Sequence, residues 1–169
     1  MMILSVDVYY QNSRASVAGV SFLNWEDSDA DGIFRTVLDP VAEYQPGQFY
    51  LRELPCILKL IEEHDLHPDV VIVDGYVYLD GHHRPGLGKH LFDALGGKVV
   101  VVGVAKRHFQ GVPAEYEVFR GGSRRPLYVT SAGMPLEAAK AAVLSLHGKY
   151  RVPTLLKKAD QLCRQGLAG

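Results

Sequence analysis

The stretch Pro68-Asp69-Val70-Val71-Ile72-Val73-Asp74-Gly75 decides the fold. Four consecutive β-branched residues between two polar, turn-forming pairs read as a short strand buried on both faces, which is the parallel kind. Lys98 to Val104 repeats the pattern, and helical periodicity occupies the interval around Gly86 to Leu95. Strand, helix, strand in that order predicts a right-handed crossover unit and an α/β class.

Working outward, residues 2–10 and 13–23 are two β-rich runs separated by Gln11-Asn12, and Gly32 to Leu38 offers a third after the acidic loop Glu26 to Asp31. These predict an antiparallel three-strand meander at the start of the sheet. From Gln48 to about His64 the apolar residues Phe49, Leu54, Ile57, Leu58 and Ile61 recur at helical spacing, with Pro55 placed to kink the helix. Two further β segments, Tyr116 to Arg120 and Pro126 to Thr130, precede helices near Pro135 to Leu146 and Pro153 to Arg164. The expected architecture is a mixed central sheet with helices on both faces, in one domain spanning residues 1–169. No internal repeat or linker divides it.

Composition agrees with a globular core. The chain has 169 residues, 47% hydrophobic and 22% charged, which excludes disordered and fibrous classes. No apolar run approaches the roughly 18 residues of a membrane span, and the start MMILSVDVYY lacks a basic leader segment. Cys56 and Cys163 lie far apart in helix-like patterns, against a disulfide scaffold or a paired-cysteine metal site. A reducing cytoplasm is the expected location. The net charge of −1 conceals a division: residues 1–97 carry 6 basic against 15 acidic side chains, and residues 98–169 carry 12 against 4. That asymmetry suits a carboxylate cluster beside an anion-holding surface.

Asp7 interrupts one apolar strand and Asp74 ends another. Acids at the carboxyl ends of neighbouring parallel strands face one crevice, where open α/β sheets bind ligands. Mg²⁺ takes hard oxygen ligands and keeps positions for water and phosphate, so Asp7 and Asp74 form a possible metal site with Glu53 as a third ligand. Lys106, at the end of a buried strand, adds a positive charge that needs no metal, and Arg107, Arg120, Arg124, Arg125, Arg151, Lys157 and Lys158 supply charge for phosphates, without all having to share one face. Gly75, and the backbone near Gly81, would let a base come close because no Cβ intrudes.

Six strings carry a resemblance: VDVYY at 6–10, YQPGQFYLRE at 44–53, VVIVDG at 70–75, GLGKHL at 86–91, VVGVAK at 101–106 and YRVPTLLKKAD at 150–160. In order and approximate spacing they resemble the motifs of the endonuclease V family, over nearly the whole chain. The resemblance implies a ribonuclease H-like fold and Mg²⁺-dependent hydrolysis, with Mn²⁺ as a possible substitute. The substrate would be a phosphodiester on the 3′ side of a deaminated base, chiefly inosine, in DNA or RNA. Carried over by motif, Asp7, Glu53 and Asp74 resemble the metal ligands, with Lys106 and Asp160 joining them as catalytic positions. Tyr44 and Pro46 resemble the wedge that fills the gap left by an extruded base, a role that repays part of the lost stacking. Tyr10, Arg52, Gly75, His82 and Arg107 complete the implied substrate contacts.

The chain also departs from the family pattern. Where the family runs NGxxHPR after VDG, this chain reads YVYLDGHHRPGL, with the additional acid Asp80 and two candidate pocket histidines, His82 and His83; we take His82. His90 sits in the HL pair of the next helix, and RVPT replaces a leucine, proline, glutamate, proline run near the end. The family carries some tens of residues ahead of its first acidic strand, so the resemblance is to a short form. Two other readings compete: a module of this fold that binds modified nucleic acid with little or no cutting, and a ribonuclease H-like nuclease acting on junctions. Retention of the three acids and Lys106 speaks against the former, and the Tyr44-Pro46 pair against the latter.

Overall fold

In a computed structural model of the chain, residues 1–41, 46 and 50–167 are described. Seven strands form one sheet: β1 (Ile3–Gln11), β2 (Arg14–Phe22), β3 (Gly32–Leu38), β4 (Val70–Val73), β5 (Val100–Ala105), β6 (Glu117–Val118) and β7 (Leu127–Ala132). The helices are α1 (Tyr50–Glu63), α2 (Leu87–Ala94), α3 (Leu136–Ser145) and α4 (Thr154–Gln165). Strand order is β3-β2-β1-β4-β5-β7-β6. The meander β1–β2–β3 is antiparallel, as its polar turns predict, and β4 pairs parallel with both β1 and β5. β7 returns antiparallel to β5 and carries β6 on its outer edge.

The all-apolar strands are explained by their two covered faces. Side chains alternate along a strand, so Val71 and Val73 of β4 and Val101 of β5 point to the face covered by α1 and α2. Val70, Ile72, Val102 and Val104 point to the face covered by α3 and α4. That same alternation sends Asp7, Asp74 and Lys106, each at an even step beyond such residues, to the α4 side.

Differences from the expected elements are local. The predicted strand Tyr116 to Arg120 shrinks to Glu117–Val118, because Ala114–Tyr116 winds into a 3₁₀ turn. α1 runs unbroken through Pro55, which lies in its exposed second turn. The expected start of this helix at Gln48, with Phe49, lies outside the described residues. No helix among the described residues is long and apolar enough to cross a membrane. Both cysteines are free and buried.

Candidate metal centre and base cleft

The sheet brings the first two acids together through register. β1 and β4 run parallel with Val6 opposite Val73, so Asp7 and Asp74 are the next residues on adjacent strands, which lie about 4.8 Å apart. Asp7 is 9% exposed and Asp74 lies open at the strand end. Glu53 comes from the opposite helical layer, in the first turn of α1, near enough to Asp7 and Asp74 to feel both charges. Asp160 comes from α4; one of its oxygens, one of Asp7's and Cys163 Sγ lie within 4.8 Å of one another. Lys106 Nζ stands 3.6 Å from Asp74 Oδ2. Asp7, Asp74 and Lys106 thus line one crevice, roofed by Val152, Pro153 and Leu156 at the start of α4.

Electrostatics marks this cluster as short of positive charge. Burial pushes the Asp7 carboxyl up to about 7, and Asp74 and Asp160 push the same way against the pull of Lys106 and of the Val8 N–H that Asp7 Oδ1 accepts at 3.0 Å. Burial also pushes Glu53 up to about 8, helped by Asp7 and Asp74 and opposed by Arg52. The Arg52 guanidinium lies 3.6 Å from the centre of the Tyr10 ring, and its charge eases the burial of Glu53. On α4, Arg164 Nε donates to Asp160 Oδ1 at 3.0 Å and its guanidinium stacks on Tyr9, which fixes how Asp160 faces Asp7.

A second, wider cleft adjoins the crevice. It is lined by Asp74, Gly75, Tyr76, Leu79, Lys106, Arg107, His108, Phe109 and Arg164. Gly75 has φ +148°, and no atom lies within 4 Å of where its Cβ would stand, so the backbone borders open space. Tyr76 OH donates to the Arg107 carbonyl at 2.6 Å and accepts from the Phe109 N–H at 3.1 Å, tying the floor of the cleft to its wall. Phe109 is left 36% exposed, its ring 6.1 Å from that of Tyr76. Tyr76, His108, Phe109 and Arg164 escaped the sequence reading; the available signal was an aromatic residue in a polar loop directly after GVAK.

Other expected residues fall elsewhere. His82 and His83 are exposed and line neither the acid crevice nor this cleft; their backbone N–H groups, with that of Arg84, donate to Asp80 Oδ1 at 3.2, 2.8 and 2.9 Å. Asp80 is therefore a turn-former, its carboxyl held well below the usual range by those donors. Gly81 does not make room for a base: a Cβ there would stand 2.4 Å from the Tyr116 ring, so its glycine serves packing. Arg120 is not a surface phosphate contact. It is 7% exposed and its guanidinium donates to four backbone carbonyls. Arg151 is likewise spent on the carbonyls of Arg125, Pro126 and Lys106. Pro46 is exposed, while Tyr44 lies outside the described residues.

A sequence model of endonuclease V matches residues 1–129, three-quarters of the chain and all of the motif-bearing segments up to Lys106. The chain belongs to the endonuclease V family. Endonuclease V of Streptomyces avermitilis is 27% identical over 98% of this chain and 80% of its own length, and that of Streptomyces coelicolor is 28% identical over 98% and 78%. The crystal structure of the S. avermitilis protein superposes with a TM-score of 0.81, covering 99% of this chain and 81% of that one. Endonuclease V of Ciona intestinalis, solved with DNA containing an inosine followed by a ribo-adenosine, shares the fold at a TM-score of 0.81 and 19% identity, over 98% of this chain and 85% of that chain. The fold is the ribonuclease H-like α/β fold of endonuclease V.

Proposed function

We propose that this single-domain protein is a Mg²⁺-dependent endonuclease that hydrolyses the phosphodiester on the 3′ side of a deaminated base, chiefly inosine, in cytoplasmic DNA or RNA. The observation that supports the reading is one crevice lined by Asp7, Asp74 and Lys106, with an Asp160 oxygen within 4.8 Å of one of Asp7's and Glu53 of the opposite layer near enough to feel the charges of Asp7 and Asp74. Burial first, and mutual repulsion second, push both the Asp7 and the Glu53 carboxyls upward, and a divalent cation held between them would favour their ionised forms. Hard carboxylate oxygens beside an open cleft fit Mg²⁺, with Mn²⁺ as a substitute.

Asp7, Glu53 and Asp74 are the residues that would hold the ion, and Asp160 stands close enough to Asp7 to hold or orient a water. When bound, the ion polarises the phosphoryl group and lowers the pKa of a water. The protein's own residues do the rest. Lys106 keeps Asp74 oriented and presents positive charge where the phosphate gains negative charge. Arg107, at the cleft mouth, faces the backbone of the strand. Phe109 offers a ring face to an extruded base, the buried Tyr76 holds the loop that carries it, and Gly75 lets the base edge approach the main chain. On sequence grounds Tyr44 and Pro46 take the wedge role and Tyr10 and Arg52 contact the substrate.

The test is cleavage of matched oligonucleotides with and without one inosine, in Mg²⁺ or in EDTA, by the parent protein and by Asp74→Asn. The expected result is cutting only with inosine and Mg²⁺, on the 3′ side, and loss of at least about 10³-fold in rate for the variant with inosine binding retained. Undiminished turnover by Asp74→Asn, or equal cutting of both strands, would overturn the proposal.

A further inference from the structure

One part of the basic half lies outside both the acid crevice and the base cleft. The connection from α3 to α4, residues 146–153, folds into an open basic cleft lined by Lys149, Tyr150, Lys157, Lys158 and Gln161, with no carboxylate among its lining residues. Tyr150 is 66% exposed, a large aromatic ring turned to solvent, with Lys149 Nζ 5.5 Å from its centre. No hydrogen bond or ion pair occupies Lys149, Lys157 or Lys158 among the described residues. Of the other lysines, Lys89 pairs with Asp93, Lys106 with Asp74, and Lys140 donates to the Glu115 carbonyl; what distinguishes Lys149, Lys157 and Lys158 is that they share one cleft with an exposed ring.

The loop that presents this ring is rigidly built. Arg120 Nη1 donates to the carbonyls of Tyr150 at 2.9 Å and Arg151 at 3.2 Å, and Nη2 to those of Gly148 at 3.1 Å and Leu146. Gly121 lets the two segments touch, since a Cβ there would stand 2.6 Å from the Tyr150 backbone. A buried cation that organises four carbonyls of one short loop is a costly device for a loop with nothing to hold, because each buried charge–carbonyl bond must offset desolvation. The cleft neighbours the acid crevice, Val152 forming part of the wall of each. Arg151 ties the same loop to the carbonyl of Lys106.

We propose that this cleft is a second binding surface for single-stranded nucleic acid, on which Tyr150 stacks a base and Lys149, Lys157 and Lys158 take successive phosphates of the strand running out of the acid crevice. Exposed aromatic rings interleaved with unpaired lysines are how single strands are held without sequence preference: the ring meets any base and the ammonium groups track the backbone. The inference rests on the endonuclease reading for its orientation, but the binding itself needs neither inosine nor metal.

The experiment is fluorescence anisotropy of a labelled oligothymidylate of about 20 nucleotides, inosine-free and in EDTA, titrated with the full chain. Tyr150→Ala is expected to weaken binding roughly 10-fold, and Tyr150→Phe to retain it, because the ring and not the hydroxyl does the stacking. The combined Lys149→Ala, Lys157→Ala, Lys158→Ala variant is expected to lower the slope of log affinity against log salt by about 2, at roughly 0.7 per phosphate contact on a single strand. A blunt duplex, whose bases are already stacked, should register the lysines but hardly Tyr150. Parent-like binding by both Tyr150→Ala and the lysine variant would overturn the proposal, as would displacement of the oligonucleotide by polyglutamate at equal charge with no effect of Tyr150→Ala. Failure of inosine-specific cutting would defeat the endonuclease reading and leave these binding results standing.

Discussion

Replacing Asp7 by Asn should make the metal-free protein more stable at pH 8 while removing its activity. Asp7 sits 9% exposed, crowded by Asp74 and Asp160, with its carboxyl pushed from 3.8 to about 7. A folded value above the unfolded one means that the native state keeps a proton the unfolded chain has already released. The associated stability is fully present below about pH 4 and is lost as pH climbs through about 7. Three decades of proton affinity at about 1.4 kcal/mol each come to ~4 kcal/mol, or roughly 8–16 °C in Tm for a chain of this size. Glu53, pushed to about 8 partly by Asp7 itself, adds to the slope and extends it upward. Asn keeps the shape of the side chain and carries no charge, so it removes both Asp7's own cost and part of the pressure on Glu53. Differential scanning calorimetry in EDTA between pH 4.5 and 8.5 should show the parent losing stability with rising pH, and Asp7→Asn losing much less. Mg²⁺ should flatten the parent's curve by favouring the ionised carboxylates and should do little for the variant. A parent Tm that is level across this range in EDTA, or a variant no more stable than the parent at pH 8, would refute the reasoning.

Arg120→Met should cost about 3–5 kcal/mol in urea denaturation, because four carbonyls lose a buried charged donor; a change below about 1 kcal/mol would mean that the loop holds itself. Phe109→Ala should lower discrimination between inosine-containing and plain strands by roughly 5- to 100-fold, the worth of one stacked base, measured as the ratio of kcat/KM values; an unchanged ratio would remove Phe109 from the base cleft.

Where sequence reading succeeded and failed follows a physical line. The runs around Val70 and Val101 could be identified as buried parallel strands because their β-branched, all-apolar content has few other uses, and the meander could be identified from its alternation and polar turns. Asp7 and Asp74 could be paired because strand ends in a parallel sheet have few places to go. Arg120 misled because a cation in a basic half reads as a surface charge, and nothing local reveals four carbonyls converging from residues 26 to 31 positions away. His82 and His83 gave two candidates from one motif, and in the structure both are exposed on a turn whose N–H groups Asp80 accepts, outside the lining of either cleft. Gly81 looked like room for a ligand when it was room for Tyr116.

Sequence alone determined the α/β class, the order of the elements, the family motifs and the acids at the ends of β1 and β4, since each is written in local periodicity or in the identity of a residue beside a turn. Only the tertiary structure decided which charges meet. Glu53 from one helical layer and Asp160 from the other both come near Asp7, Lys106 stands 3.6 Å from Asp74, and Arg120 is buried while Tyr150 is bare. Those relations depend on distances between segments far apart in the chain, and such distances are set by how two faces of one sheet are covered, which no local pattern encodes.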